Sequence, residues 1–285
     1  MTEQRTAQPR SERFERGLDV VRQMFPGRET TQTAGAPEEI RREWGTFTLE
    51  TVMGDVWSRP GLSLRNRSLI TVAALTALHR PEELRVHARG ALRNGFSRRQ
   101  VCEIVMHVAG YAGIPVGVEG MRVLREVFGA APDLDPVETS DDDSPRSDDL
   151  PEDRFDRGRA VLRTLIPDQA ANRLAVPDEI TPDWGRWVVS TAFGDLWSRP
   201  ELSLRERSRL VVAVLMVLHL PEELRLHLDV ALTLDIPRTE IAEEIMHLAL
   251  YGGFPVAVEG MRVAREVFDA RPWRQSGVDV VTTHG

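Results

Sequence analysis

The chain of 285 residues holds one cysteine, Cys102, so neither an intramolecular disulfide nor a Cys-x-x-Cys redox centre is available to it. Cys102 reads as a small buried apolar residue. No apolar run approaches the ~20 residues that a membrane span requires, and no transmembrane helix is expected. The opening MTEQRTAQPRSERFERG has basic residues but lacks the apolar core of a signal peptide, which makes the cytoplasm the default location. No basic stripe marks a nucleic-acid footprint. No segment alternates convincingly as a strand.

What is present is an ordinary globular balance, 41% hydrophobic and 28% charged, in a length that suits two domains. The net charge of −8 is local. Residues 133–153 carry ten acids against Arg146 alone, a net −9, which leaves the remainder near +1.

The chain repeats itself. Residues 54–128 align without a gap on 194–268 at a constant offset of 140, with 44 of 75 positions identical. GDVWSRPGLSLRNRS returns as GDLWSRPELSLRERS, and RFERG at 13–17 returns as RFDRG at 154–158. The expected organisation is a first unit over 13–128, an acidic flexible linker over 129–153, a second unit over 154–268 and a tail over 269–285. Each unit reads as helices: about 13–24, 37–53 (with Pro177 marking the second copy), 64–79 capped by Ser63, one opened by Pro81 and stopped near Gly95, 97–111 behind the capping box Ser97–Gln100, and 115–128 after Gly113. The expected fold is all-α, two similar bundles forming a pseudo-twofold pair.

Six of seven histidines fall into repeat pairs: His79/His219, His87/His227 and His107/His247. Glu83 and His87 stand at i, i+4, as do Glu223 and His227, so carboxylate and imidazole share a helix face. Glu103, His107 and Tyr111 form a second ladder, repeated as Glu243, His247 and Tyr251. A carboxylate beside an imidazole fixes its tautomer and raises its pKa, as suits a general acid. His79, at a helix end before Arg80-Pro81, reads as structural. No metal site is expected, because di-iron bundles use Glu-x-x-His with further inward glutamates. Trp57 reads as a packing anchor, and Asp55 or Ser58 as a turn cap. Arg59, Arg65, Arg67 and Arg85 all recur (Arg199, Arg205, Arg207, Arg225), and guanidinium groups clamp carboxylates.

W-S-R-P-G-L, R-x-R-S-L-I, E-E-L-x-x-H and H-V-A-x-Y-A-G-x-P together resemble the carboxymuconolactone decarboxylase family, in its 4-carboxymuconolactone decarboxylase-like branch. The likeness covers about 75 residues of each unit. It implies an alkyl hydroperoxidase D-like helical bundle and a homo-oligomer built on trimers, here a trimer of fused pseudo-dimers. The thiol peroxidases of the wider superfamily place two cysteines ahead of a histidine. In Pro81-Glu82-Glu83-Leu84-Arg85-Val86-His87 only the histidine remains, so thiol chemistry is not implied.

The resemblance implies a cofactor-free carboxy-lyase acting on a carboxylated γ-lactone. Loss of CO2 sends electrons into the lactone carbonyl, and the dienolate is then protonated on carbon, so the protein must hold carboxylates, stabilise an oxyanion and supply a proton. Carried onto this chain, His87, His107, His227 and His247 become acid and oxyanion donor in an open order, with Glu83 and Glu223 orienting His87 and His227. Arg59, Arg85, Arg199, Arg225, Tyr111 and Tyr251 become substrate contacts. The branch usually continues after Y-A-G-x-P with a small residue and asparagine. This chain places Glu119 and Glu259 in that region, where a carboxylate would repel an anion or act as a base. An isomerase, dehydratase or cyclase on the same scaffold, or a non-catalytic binding module, are the alternatives.

Overall fold

The computed structural model describes residues 11–27, 36–132, 134, 151–167 and 181–271. All regular elements among them are helical. The first repeat contributes α1 (Glu12–Met24), α2 (Arg41–Phe47) running on as a π-helix (Thr48–Trp57), α3 (Leu64–Ala77), α4 (Pro81–Arg93), α5 (Arg98–Ala112) and α6 (Ile114–Ala130). The second contributes α7 (Arg154–Leu165), α8 (Trp184–Val188) running on as a π-helix (Val189–Trp197), α9 (Leu204–Val217), α10 (Pro221–Thr233), α11 (Arg238–Gly252) and α12 (Phe254–Ala270). No described helix is long and apolar enough to cross a membrane. Most of the acidic stretch 133–153, the region around Pro177 and the tail beyond residue 271 lie outside the described residues.

Local signals set the boundaries. Ser63 accepts a hydrogen bond from Asn66 N at the start of α3, and Ser97 with Gln100 closes a capping box on α5. In the second copy Ser203 and Glu206 form the box on α9, while Pro237 replaces the cap on α11. Gly113, at φ +101°, ends α5 and opens α6 in a backbone region that side chains resist. The helix expected over 37–53 forms, but it starts at Arg41 and its second half widens to π geometry, ending on Trp57. Ser58 Oγ donates to the Gly54 carbonyl at 2.6 Å and closes that end.

The paired motifs RFERG and GD meet here. α1 crosses the π-helix so closely that a Cβ on Gly54 would stand 2.2 Å from the Arg13 carbonyl oxygen, and one on Gly17 2.4 Å from that of Leu49. Arg13 Nε donates to Asp55 at 2.9 Å across the same crossing. The second copy repeats the arrangement through Gly158, Gly194, Arg154 and Asp195.

The repeats do not form separate cores. α3 is buried from Arg67 to Ala77 and α9 from Glu206 to Val217, the pattern of helices enclosed on all sides. They pack against each other at the centre, and one continuous apolar core runs from Leu69, Ile70 and Val105 into Leu210, Val214 and Ile245. Cys102 packs at the margin of this core, half-buried rather than fully enclosed, and burial pushes its thiol pKa up.

Candidate active site

The central packing brings α3 against α11 and α9 against α5, so each polar cluster is assembled from both repeats. In the first cluster Arg67, fully buried on α3, lies 3.3 Å through Nη1 from Nδ1 of His247 on α11. Its Nη2 donates to Glu243 at 3.0 Å and to the Arg59 carbonyl at 3.1 Å. Arg59 itself holds Glu243 through Nε at 2.9 Å. The second cluster mirrors this: Arg207 Nη1 lies 2.9 Å from Nδ1 of His107, its Nη2 meets Glu103 at 3.0 Å, and Arg199 Nε meets Glu103 at 2.8 Å.

A guanidinium can only donate. Nδ1 of His107 and of His247 must therefore accept, which places the ring proton on Nε2 and leaves both imidazoles neutral. Electrostatics agree: burial, and then the neighbouring arginine, hold both pKa values well below the ordinary range. This corrects the expectation of carboxylates that raise histidine pKa. The carboxylates of Glu103 and Glu243 sit on the arginines, and an arginine stands between each of them and an imidazole.

The other imidazole of each cluster comes from the opposite repeat. His87 on α4 stacks on Trp57 with centroids 5.8 Å apart and meets the edge of Tyr251 at 5.6 Å; Trp57 also meets His247 at 4.9 Å. Trp57 Nε1 donates to the Tyr251 hydroxyl at 3.1 Å. Equivalently, His227 stacks on Trp197 at 6.2 Å, Tyr111 approaches it at 5.5 Å, and Trp197 Nε1 donates to Tyr111 at 2.9 Å. His87 and His227 are half-buried, yet their Nδ1 atoms are sealed without a partner, and burial lowers both pKa values to about 4. Burial likewise pushes Tyr251 up to about 12 and raises Tyr111 further. Each cluster is thus a ring of neutral proton donors beside an arginine–glutamate pair.

The tertiary pairing differs from the one that the helix spacing suggests. His87 and His247 share Trp57 and Tyr251, and His107 and His227 share Trp197 and Tyr111; the two imidazoles of one repeat belong to different clusters. Glu83 and Glu223 are exposed and give no hydrogen bond to His87 or His227, because that i, i+4 contact would have to compete with water at the surface. Arg85 is drawn into surface ion pairs with Glu82 and Glu126, and Arg225 with Glu266, where solvated carboxylates satisfy them. Glu119 meets His79 at 3.3 Å and Glu259 meets Arg262 at 2.6 Å, again at the surface. His79 and His219 end their helices with φ of 53° and 57°, a structural turn position. Arg59, Arg199, Tyr111 and Tyr251 do belong to the clusters. Spacing alone missed Trp57, Trp197, Arg67 and Arg207 as members, and it paired Glu103 and Glu243 with the imidazoles rather than with the arginines they hold. Their signal was recurrence in both copies, which the arginines and tryptophans share with residues that merely pack. Among the described residues no three His, Cys, Asp or Glu side chains group as metal ligands would.

The description carboxymuconolactone decarboxylase family fits two stretches of the chain, residues 42–126 and 182–266. The 4-carboxymuconolactone decarboxylase of Acinetobacter baylyi is 34% identical over 125 residues, which is 93% of that protein but 43% of this one. That protein is therefore about one repeat long. The nitrosuccinic acid decarboxylase npaB of Metarhizium robertsii is 33% identical over 115 residues, 80% of its length and 40% of this chain. With both repeats matched and one relative covered almost end to end, this chain belongs to the carboxymuconolactone decarboxylase family, as a tandem duplication of its unit.

Proposed function

We propose that the chain is a cofactor-independent carboxy-lyase acting on a carboxylated γ-lactone or a related acid whose carboxylate lies next to an electron sink. The observation that carries this reading is the pair of clusters in which neutral imidazoles from both repeats surround a Trp–Tyr hydrogen bond. A lactone carbonyl and a nitro group, the sinks named in the substrates of the two relatives, both become oxyanions when CO2 leaves. The neutral Nε2–H of the fully buried histidine and the tyrosine hydroxyl are donors suited to that charge, worth most where water is excluded. His87 and His227, closer to the surface, serve as proton donors to carbon. A substrate carboxylate bound beside either one raises its pKa from about 4, so the imidazole gains a proton along with the anion. Arg59 and Arg199, partly exposed, remain to receive substrate carboxylate.

The unit boundaries at 13–128 and 154–268, with an acidic connector between them, belong to the same proposal, as does a cytoplasmic setting. So does self-association. Met106, Ile114 and Val118 form an exposed apolar stripe, and Met246, Phe254 and Val258 repeat it on the second copy, beside a groove of about 800 Å³. Duplicated stripes of this kind are covered together when copies of the chain close into a ring.

The test is CO2 release from 4-carboxymuconolactone and from nitrosuccinate, with His87→Ala/His227→Ala as the control. Turnover on either acid, lost by at least a hundredfold in the double variant, supports the reading. Absence of release from both acids, or full activity in the variant, would overturn it.

A further inference from the structure

The two clusters differ at one internal position. Thr71 on α3 corresponds to Val211 on α9. In the first cluster Thr71 Oγ1 lies 2.8 Å from Nε2 of His247. Nδ1 of that ring accepts from Arg67, so Nε2 carries the proton and donates it to the threonine oxygen. Thr71 also lies close enough to Tyr251 to lower the pKa of its hydroxyl against the larger effect of burial, and that hydroxyl accepts from Trp57. The donors therefore run from arginine through histidine to threonine, the histidine proton is used inside the cluster, and the tyrosine proton is the one left over.

In the second cluster Val211 offers no oxygen. Nε2 of His107, on a side chain with no exposed surface, has no hydrogen-bond partner. A buried N–H without an acceptor is unfavourable, and the fold leaves this one unpaired in one cluster only. The surroundings also differ: Phe193 stacks on Trp197 at 6.3 Å, where the first copy has Met53, so the second cluster carries one more aromatic ring.

We propose that the two sites are chemically unequal, with the His107/His227 site as the principal catalytic centre and Thr71 as the positioning residue that diverts His247 away from substrate. The His107 site presents two donors to a developing oxyanion, Nε2–H and the Tyr111 hydroxyl. The His87/His247 site presents the Tyr251 hydroxyl alone. This inference rests on the decarboxylase reading for its kinetic consequence but not for the inequality itself.

The test exchanges the two residues, Thr71→Val and Val211→Thr, in the full-length chain. Turnover on whichever acid the protein decarboxylates should fall about tenfold or more in Val211→Thr with KM within twofold, because an oxyanion donor acts on the transition state. Thr71→Val should raise it up to twofold. Val211→Thr within twofold of the parent, or Thr71→Val impaired as strongly as Val211→Thr, would overturn the proposal. A second arm needs no turnover: ¹⁵N-histidine NMR with the saturated, unreactive lactone γ-carboxymethyl-γ-butyrolactone as probe. The Nε2 proton of His107 should shift on addition while that of His247 stays, and Thr71→Val should make both respond. If both protons shift in the parent protein, or neither does, the inequality fails. A protein that releases no CO2 from any acid but shifts only His107 retains the inequality and loses the decarboxylase reading.

Discussion

The Arg67 guanidinium lies 3.3 Å from Nδ1 of His247, 180 residues further along the chain. That contact, with its mirror between Arg207 and His107, decides the charge state of the site. A buried arginine facing an imidazole forbids the imidazolium, and the glutamate behind it keeps the arginine charged. Each cluster is thereby built from both halves of the chain: neither repeat holds a complete one.

Removing that arginine should damage chemistry and folding together. Arg207→Met leaves Glu103, almost fully buried, with Arg199 as its remaining cation and frees the His107 tautomer. The expected loss is about 3 kcal/mol of stability and at least tenfold in CO2 release. Urea melts and kinetics at pH 7 measure both; a variant as stable and as active as the parent would contradict the tautomer argument.

Acid should destabilise the fold above the range in which carboxylates titrate. His87 and His227 resist protonation until about pH 4 in the folded protein, whereas an unfolded chain takes those protons near pH 6.5. Their contribution is complete above pH 6.5, and it is lost as pH falls towards 4, because the unfolded state then binds more protons. After discounting for their part exposure, roughly 2 kcal/mol should disappear for the pair. Unfolding free energies at pH 7.5 and pH 5 should show the drop, and His87→Phe/His227→Phe should flatten it.

The α1 crossing should be intolerant of a single methyl group. Gly54→Ala drives Cβ into the Arg13 carbonyl, and neither backbone can retreat without disturbing the π-helix that carries Trp57. A loss of about 2–4 kcal/mol is expected, read as a fall in Tm. Arg85→Ala, which touches surface partners, should leave CO2 release within twofold.

A fragment of residues 1–132 should not persist as a folded monomer. It would expose α3, which is buried along eleven consecutive residues by packing that includes α9. Pairing with itself would cover that face and bring His87 of one copy towards His107 of the other. Sedimentation of the fragment should therefore show a dimer or an unfolded chain; a compact monomer with native helicity would refute the shared core.

Much of the architecture was legible beforehand. Caps at Ser63 and Ser97, Pro81 at a first turn and Gly113 at a break are local devices, and they bound helices within a residue or two of where they form. The constant offset of 140 announced a paired fold, and two of the three recurring histidine pairs are the ones that the fold gathers into the candidate clusters. The candidate site was only half legible. Helical spacing reports neighbours within one helix, so it joined Glu83 to His87, a contact that the exposed face does not make.

The partners that matter are joined across the pseudo-twofold axis, at separations that no periodicity encodes. By itself the sequence determined the duplication, the helices, the family and the set of imidazoles. Only tertiary packing decided that each site is shared between repeats, that its histidines are neutral, and that Thr71 occupies one donor while Val211 leaves the other free. The physical reason is that burial and donor direction depend on which helix faces which, and here α3 and α9 meet both halves of the chain.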